Sequence, residues 1–424
     1  MKKHLLSLGL VALSYFGAFA QSVTGTVSIG AGYTNQKWYS LANGEVASQS
    51  KDNWDIAFEI TGYTSAIYAN TQKTNFVVYQ APFSISNWAS LDTAGINTWA
   101  TLYNSDTTWT IGAFNKGANL SNPSDLGWGV YDMNTHIVNG DSCYVLKLSA
   151  SSYKKLKIET LSGGVYTFVY SDINGANSYT QTITKSNYNG KNFAYFDLTA
   201  NAVVDREPAS STWDLTFVKY TAILMMPNAT PYAVVGVMSN KGVSVAQANN
   251  VTSPSNYTNW NAETFNTNIT TIGHDWKTFN LATNEWKIVN DTVYFIEDKI
   301  GDIWKLTFLS FGGSTNGDFV FSKEKLAVST VGISDKEAEK AFKVSVYPNP
   351  ANEAGTQLIF SAQNSFSAMV SVLDVNSRVV FSDKIDLSPG LNTRELNTNG
   401  LTAGLYYIQI TAGTYSSIQK LIIQ

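Results

Sequence analysis

Asn53-Trp54-Asp55-Ile56-Ala57-Phe58 returns later in the chain as Thr212-Trp213-Asp214-Leu215-Thr216-Phe217. Apolar residues at every second position are the mark of a strand with one buried face. The pattern predicts Trp54, Ile56 and Phe58 on one face, and Trp213, Leu215 and Phe217 on the matching face of a second strand. Each is preceded by an aromatic run and a polar loop. Trp38-Tyr39-Ser40-Leu41 leads the first, and Tyr195-Phe196-Asp197-Leu198 leads the second.

The likeness continues downstream. Trp128-Gly129-Val130-Tyr131-Asp132 answers Trp276-Lys277-Thr278-Phe279-Asn280, and Tyr144 answers Tyr294. Lys155-Leu156 and Lys305-Leu306 follow those tyrosines at the same distance. Each copy reaches a Gly-Gly pair, Gly163-Gly164 or Gly312-Gly313, that reads as a hairpin turn rather than a phosphate loop. Each then closes on an alternating strand, Tyr166 to Tyr170 or Phe319 to Phe321. Matching order over whole segments indicates a duplication. Two tandem antiparallel β-rich domains are expected, over 21–187 and 188–327. Residues 328–345, with a charge cluster from Asp335 to Lys340, read as an exposed linker.

Composition agrees. Of 424 residues, 44% are hydrophobic and only 14% charged, against roughly 25% charged in average soluble proteins. Asn, Thr, Ser and Gly take the place of charge, and 23 Tyr and 21 Phe favour sheet. The net charge is −4 and no basic cluster exists. That excludes a nucleic-acid partner, which requires clustered Lys and Arg.

The N-terminus has the three parts of a secretory signal peptide over 1–20. Lys2, Lys3 and His4 are the charged start, Leu5 to Phe19 the apolar stretch, and Ala18-Phe19-Ala20 a small-x-small cleavage site. No Cys follows that site, so no N-terminal lipid anchor is expected. The single cysteine, Cys143, lies in the strand-like Ser142-Cys143-Tyr144-Val145-Leu146 and reads as a small buried hydrophobe.

The tail opens with Tyr347-Pro348-Asn349-Pro350. It continues through short strand runs to Gly404-Leu405-Tyr406-Tyr407-Ile408-Gln409-Ile410 and ends on Lys420-Leu421-Ile422-Ile423-Gln424. Short strands separated by turn residues predict an Ig-like β-sandwich with Tyr406, Ile408 and Ile410 inward. These motifs resemble the type IX secretion C-terminal sorting domain (type A) of Bacteroidetes, over 346–424. The resemblance implies Sec export, then passage across the outer membrane by the type IX machinery, which reads 346–424. It also implies release or attachment to surface lipopolysaccharide.

The repeats resemble the HmuY family of haem-binding proteins. The likeness is carried by Leu41-Ala42-Asn43-Gly44-Glu45-Val46 before the Trp54 strand, by 128–157 and 164–170, and by Ser239-Asn240-Lys241-Gly242-Val243 after the Trp213 strand. It implies an all-β fold and capture of haem or another tetrapyrrole for iron acquisition. Haem iron takes axial donors such as His, Met, Cys or Tyr in an apolar slot. The loop histidine His136 is the carried-over ligand to haem iron. The family's second ligand loop falls on 97–122, which holds neither His nor Met. His274, Met225, Met226 and Met238 are the other donors, with Met225 and Met226 expected to pack in the second core.

Zinc-protease, zinc-cluster and nucleophile-elbow patterns are missing from the sequence. Asp55 with Glu59, or Asp214 with Glu207, are the carboxylate pairs a glycosidase reading would use. Such groups are expected on exposed strands and turns, so no enzyme activity is expected. Trp38, Trp88, Trp109, Trp128 and Trp260 allow a different role. Aromatic platforms stack on sugar rings as well as on porphyrins. A surface adhesin or glycan-binding protein is therefore the alternative to haem capture.

Overall fold

The computed structural model describes residues 22–62, 64–328, 342–352, 355–362, 365–374, 378–398, 400–412 and 415–424. The signal peptide and most of the linker lie outside the described residues. Three all-β bodies, each with its own hydrophobic core, follow from the strand pairing.

The first lobe faces two sheets. One carries Tyr179–Thr184, Val165–Asp172, Tyr153–Ser162, Ile137–Gly140 and Gly129–Asp132 in that order, with Ser142–Lys147 and Val77–Ser84 joined to it. The other carries Ala202–Val204, Phe193–Asp197, Ile56–Glu59 and Ile67–Ala69. Phe58, Trp128, Tyr144, Tyr166, Phe168 and Phe196 fill the space between them.

The second lobe repeats the plan. A five-stranded sheet holds Val23–Ser28, Asp318–Ala327, Ile303–Phe311, Val293–Glu297 and Ser244–Ala248. A four-stranded sheet holds Ala229–Ser239, Leu215–Met225, Asn35–Ser40 and Gly44–Ser50. Tyr39, Phe217, Trp276, Tyr294, Phe308 and Phe321 form its core.

The copies are not consecutive blocks. Asn35–Ser40 pairs with Leu215–Met225, setting Tyr39 opposite Leu215 and Trp38 opposite Thr216. Phe193–Asp197 pairs with Ile56–Glu59 in the same register, setting Phe196 opposite Ile56 and Tyr195 opposite Ala57. Each aromatic strand thus pairs with the Trp-Asp strand of the other copy. Val23–Ser28 likewise lies against Asp318–Ala327. A cut at 187/188 would separate Phe193–Asp197 from its partner in the first lobe. Sequence periodicity reads local pattern, and this exchange is non-local.

Two clamps of identical design fix it. The Asp55 carboxylate accepts from Leu198 N at 2.8 Å, and the Asp214 carboxylate from Leu41 N at 2.7 Å. Asp55 N donates to Phe196 O, and Asp214 N to Tyr39 O. Asn70 N donates to Asp55 O, and its amide caps Trp54 O; Asn240 does the same for Asp214 and Trp213. The inward-facing pattern therefore starts at Ile56 and Leu215. Trp54 and Trp213 precede the strands, and Trp54 packs on Tyr195 rather than with Phe58.

Gly163 and Gly164, both with φ in the left-handed region, make the expected tight hairpin. Gly312-Gly313 does not. It opens a six-residue connection built on the one-turn helix Gly313–Asn316.

The third body has seven strands in the order Val379–Leu387, Phe366–Leu373, Gly404–Ala412, Tyr415–Ile423, Phe342–Asn352, Gly355–Ala362 and Gly390–Leu396. Its first strand starts at 342, inside the expected linker. Tyr406, Ile408 and Ile410 are buried, as alternation predicts. Asn349 donates its amide to Lys420 O and accepts from Ile422 N. The opening and closing motifs of the tail are thus bonded to each other.

Candidate functional site

The matching aromatic positions of the two copies converge where the lobes meet. Trp38 and Tyr195 are equivalent by register, as are Trp54 and Trp213, Ala57 and Thr216, and Tyr68 and Met238. All eight line one cavity of about 90 Å³ that opens to solvent.

A strap from the first lobe forms its roof. Asn104 is pinned by Ala69 N and Ala113 N, which donate to its side-chain oxygen. Beyond it the chain crosses to the second lobe. Ile269 N donates to Thr107 O, Thr270 Oγ1 to Asp106 O, and Ile223 N to the Asp106 carboxylate. Trp109 comes down between the lobes, with its indole N–H on Ser239 O at 2.8 Å and its ring beside Tyr68 and Phe193. The strap lies inside 97–122, where the haem reading lacked a donor.

Two buried charges sit beside the cavity. The Arg206 guanidinium lies 5.3 Å from the Trp38 ring centroid, 5.5 Å from Trp54 and 5.1 Å from Tyr195. It donates to Gln36 Oε1 and Ser50 O, and burial lowers its pKa to about 10. Glu207, on the cavity wall, accepts from Asn192 N, Phe193 N and the Tyr195 hydroxyl. Burial pushes its carboxyl up to about 7 against those hydrogen bonds. Most other polar groups of the wall are bonded within the protein, such as Thr71 and Gln72 on Thr221. The Trp213 indole N–H is buried without an acceptor.

Sequence reasoning missed Arg206 as a filled cage. The signal was Asp205-Arg206-Glu207, three successive charges in a chain poor in charge. It also misjudged the carboxylates. Asp55, Glu59 and Glu207 are buried and Asp214 half-buried. Asp55 is ion-paired to Lys73 and Glu59 to Lys241. They hold backbone that the strand exchange leaves without ladder partners.

The haem candidates do not converge on this cavity. His136 is exposed in the turn joining Gly129–Asp132 to Ile137–Gly140, with Nδ1 2.7 Å from the Tyr131 hydroxyl. Met225 and Met226 are not core residues: they are 75% and 54% exposed at the tip of the Leu215–Met225 hairpin. The strand outruns its core partners there. His274 is held at 3.3 Å from the Tyr220 hydroxyl, its pKa lowered by burial and by Lys277. Met238 alone of these lines the cavity. Among the described residues no three His, Cys, Asp or Glu gather as a metal site. Cys143 is buried, and desolvation raises its thiol pKa to about 11.

Residues 345–424 match the family of the secretion system C-terminal sorting domain. That domain marks export by type IX secretion to the cell surface or extracellular space. No curated protein matches the chain. A solved structure titled "Biofilm associated protein - BSP domain" aligns over 100% of this chain and 84% of its own, at 10% identity. Its TM-score is 0.16, too low to carry an argument about fold or activity.

Proposed function

We propose that this exported protein binds carbohydrate in the cavity between its lobes and acts by binding alone. The observation that carries the reading is the Trp109 strap. It places a tryptophan over a cavity already walled by Trp38, Trp54 and Trp213, beside a carboxylate and an unspent indole N–H. Aromatic faces stack on sugar C–H faces, and a hydroxylated ring uses donors and acceptors together. Size agrees. A dry cavity of ~150 Å³ takes one benzene, so 90 Å³ cannot enclose a four-ring macrocycle, and a sugar ring would sit partly in its open mouth. The carboxylates of a glycosidase reading have structural partners, which supports a role without turnover.

Haem capture is the reading the HmuY resemblance favours. It would use His136 on its exposed hairpin, and lipopolysaccharide attachment would then hold the protein at the cell.

Affinity electrophoresis of the mature chain in gels containing neutral polysaccharides tests the proposal, beside a haemin titration. Retardation by at least one polysaccharide, lost in Trp109→Ala, is expected, with no saturable Soret shift. No retardation, together with a red-shifted Soret band that weakens in His136→Ala, would replace this reading with haem capture.

A further inference from the structure

The aromatic cavity is small for its proposed ligand, and a second hollow shares its wall. This is an open cleft of about 460 Å³ where the lobes meet, and Trp109 lines both spaces. The strap passes between them: Asn104 and Ser105 line the cavity, whereas Thr108 and Thr110 line the cleft. Phe193 completes the partition. Its ring belongs to the cavity wall, and the ammonium of Lys241, a cleft residue, lies 5.0 Å from its centroid. The two spaces differ in chemistry. Rings dominate the cavity, whereas the cleft carries the hydroxyls of Thr61, Thr108, Thr110 and Thr267 around the Lys241–Glu59 ion pair. The Glu59 side chain is 2% exposed and already accepts from Ala66 N and Thr64 Oγ1, while that of Lys241 is 21% exposed. Thr61 and Thr267 are exposed, and their hydroxyls make no hydrogen bond among the described residues. The cleft therefore offers hydroxyl and ammonium groups, with its carboxylate already satisfied.

We infer that the ligand is a neutral oligosaccharide that occupies both spaces, with one ring at the aromatic cavity and the following units in the threonine cleft across Trp109. The inference rests on the carbohydrate-binding reading and fixes the length of its ligand. A cavity of 90 Å³ grips only part of one ring, so a single sugar leaves most of its hydroxyls in water. The cleft has room for the rest of a chain. At ~150 Å³ for one six-membered ring, 460 Å³ holds about two or three more units, and ~300–1,000 Å³ is the usual size of a ligand pocket. A sugar chain presents C–H faces and hydroxyl edges in turn. The faces suit the Trp109 indole, and the edges suit threonine hydroxyls, which donate and accept, and the Lys241 ammonium, which donates. Each added unit therefore contributes contacts until the cleft is full, and units beyond that contribute nothing.

The test is calorimetric titration of the mature chain with size-fractionated oligosaccharides of one to five units, hydrolysed from the polysaccharide that retards it most strongly in gels. Affinity should rise at least about tenfold from one unit to three, a difference of ~1.4 kcal/mol, and level off by five. Replacing the two free hydroxyls by methyl groups, in the double variant Thr61→Val with Thr267→Val, should cut that gain about threefold or more. The length series uses only the unaltered protein, so it stands whatever the variant does. Equal affinity for one and three units overturns the inference and leaves a single-ring site. A gain that is untouched in the double variant places the further units outside the cleft and overturns it too. Failure of every polysaccharide and every oligosaccharide removes the parent reading as well.

Discussion

Removing the carboxylate of each clamp should destabilise the lobes unequally. Asp55→Ala strips Leu198 N of its acceptor and leaves Lys73 without its 2.7 Å partner beside a fully buried site. Breaking a buried ion pair from one side costs about 3–5 kcal/mol. Asp214→Ala orphans Leu41 N, in a buried residue, and removes the Ser40 hydroxyl's partner, but breaks no direct ion pair seen among the described residues. An unsatisfied buried donor costs about 1–3 kcal/mol. Desolvation disfavours both charges, raising the Asp55 pKa and taking that of Asp214 up to about 6, so it offsets part of each loss. Asp55→Ala should therefore lower stability by about 2 kcal/mol more than Asp214→Ala. Urea unfolding followed by tryptophan fluorescence measures this cleanly. All 11 Trp lie between Trp38 and Trp304, so the sorting domain is silent. Equal losses, or a loss under about 0.5 kcal/mol for Asp55→Ala, would mean that the clamps do not hold the exchanged strands, since ordinary surface changes fall in that range.

Glu207 gives a pH signature. Its folded pKa of about 7 exceeds the ordinary 4.5, so between those values the folded state holds a proton that the unfolded chain has lost. Its contribution is complete below pH 4.5, declines as pH rises and is gone above about 7. The span is at most about 3 kcal/mol. The stability difference between Glu207→Gln and the unaltered protein should grow from pH 4.5 to 7 and then level off; a flat difference refutes the assignment. Cys143 should not react with an aromatic disulfide reagent in the native protein at pH 8, and should release one equivalent after denaturation. Rapid native labelling would show that the thiol is not enclosed.

How far the sequence could be read depended on range. Alternation located Tyr406, Ile408 and Ile410 in their core, because a strand's two faces are a local property. The tyrosine equivalence survived as well: Tyr144 pairs with Leu156, and Tyr294 with Leu306. What failed was connectivity. Nothing in Trp38-Tyr39-Ser40-Leu41 says that its partner strand lies in the other copy. The site was harder still. Trp109 sits in an irregular strap without periodicity, and its role depends on bonds to Thr107 and Asp106 from across the join. Asp55 and Glu59 looked like surface carboxylates because sequence does not show which backbone groups will need a partner. The two methionines of the hairpin tip looked like core because composition carries no information about strand length beyond the sheet.

The pairing of Val23–Ser28 with Asp318–Ala327 fixes an order of events for a chain emerging from its N-terminus. The first lobe has all its strands once Ala202–Val204 has appeared. The earliest strands to emerge belong to the second lobe: Asn35–Ser40 and Gly44–Ser50 pair with each other, but Val23–Ser28 must wait for a partner about 300 residues away, and Asn35–Ser40 for its second partner Leu215–Met225. For most of its emergence the chain therefore carries an unpaired first strand, Val23–Ser28, and an aromatic strand, Asn35–Ser40, with one edge open. A protein that leaves the cytoplasm as an open thread gains from that delay, since its ends close on each other only after nearly the whole thread has passed.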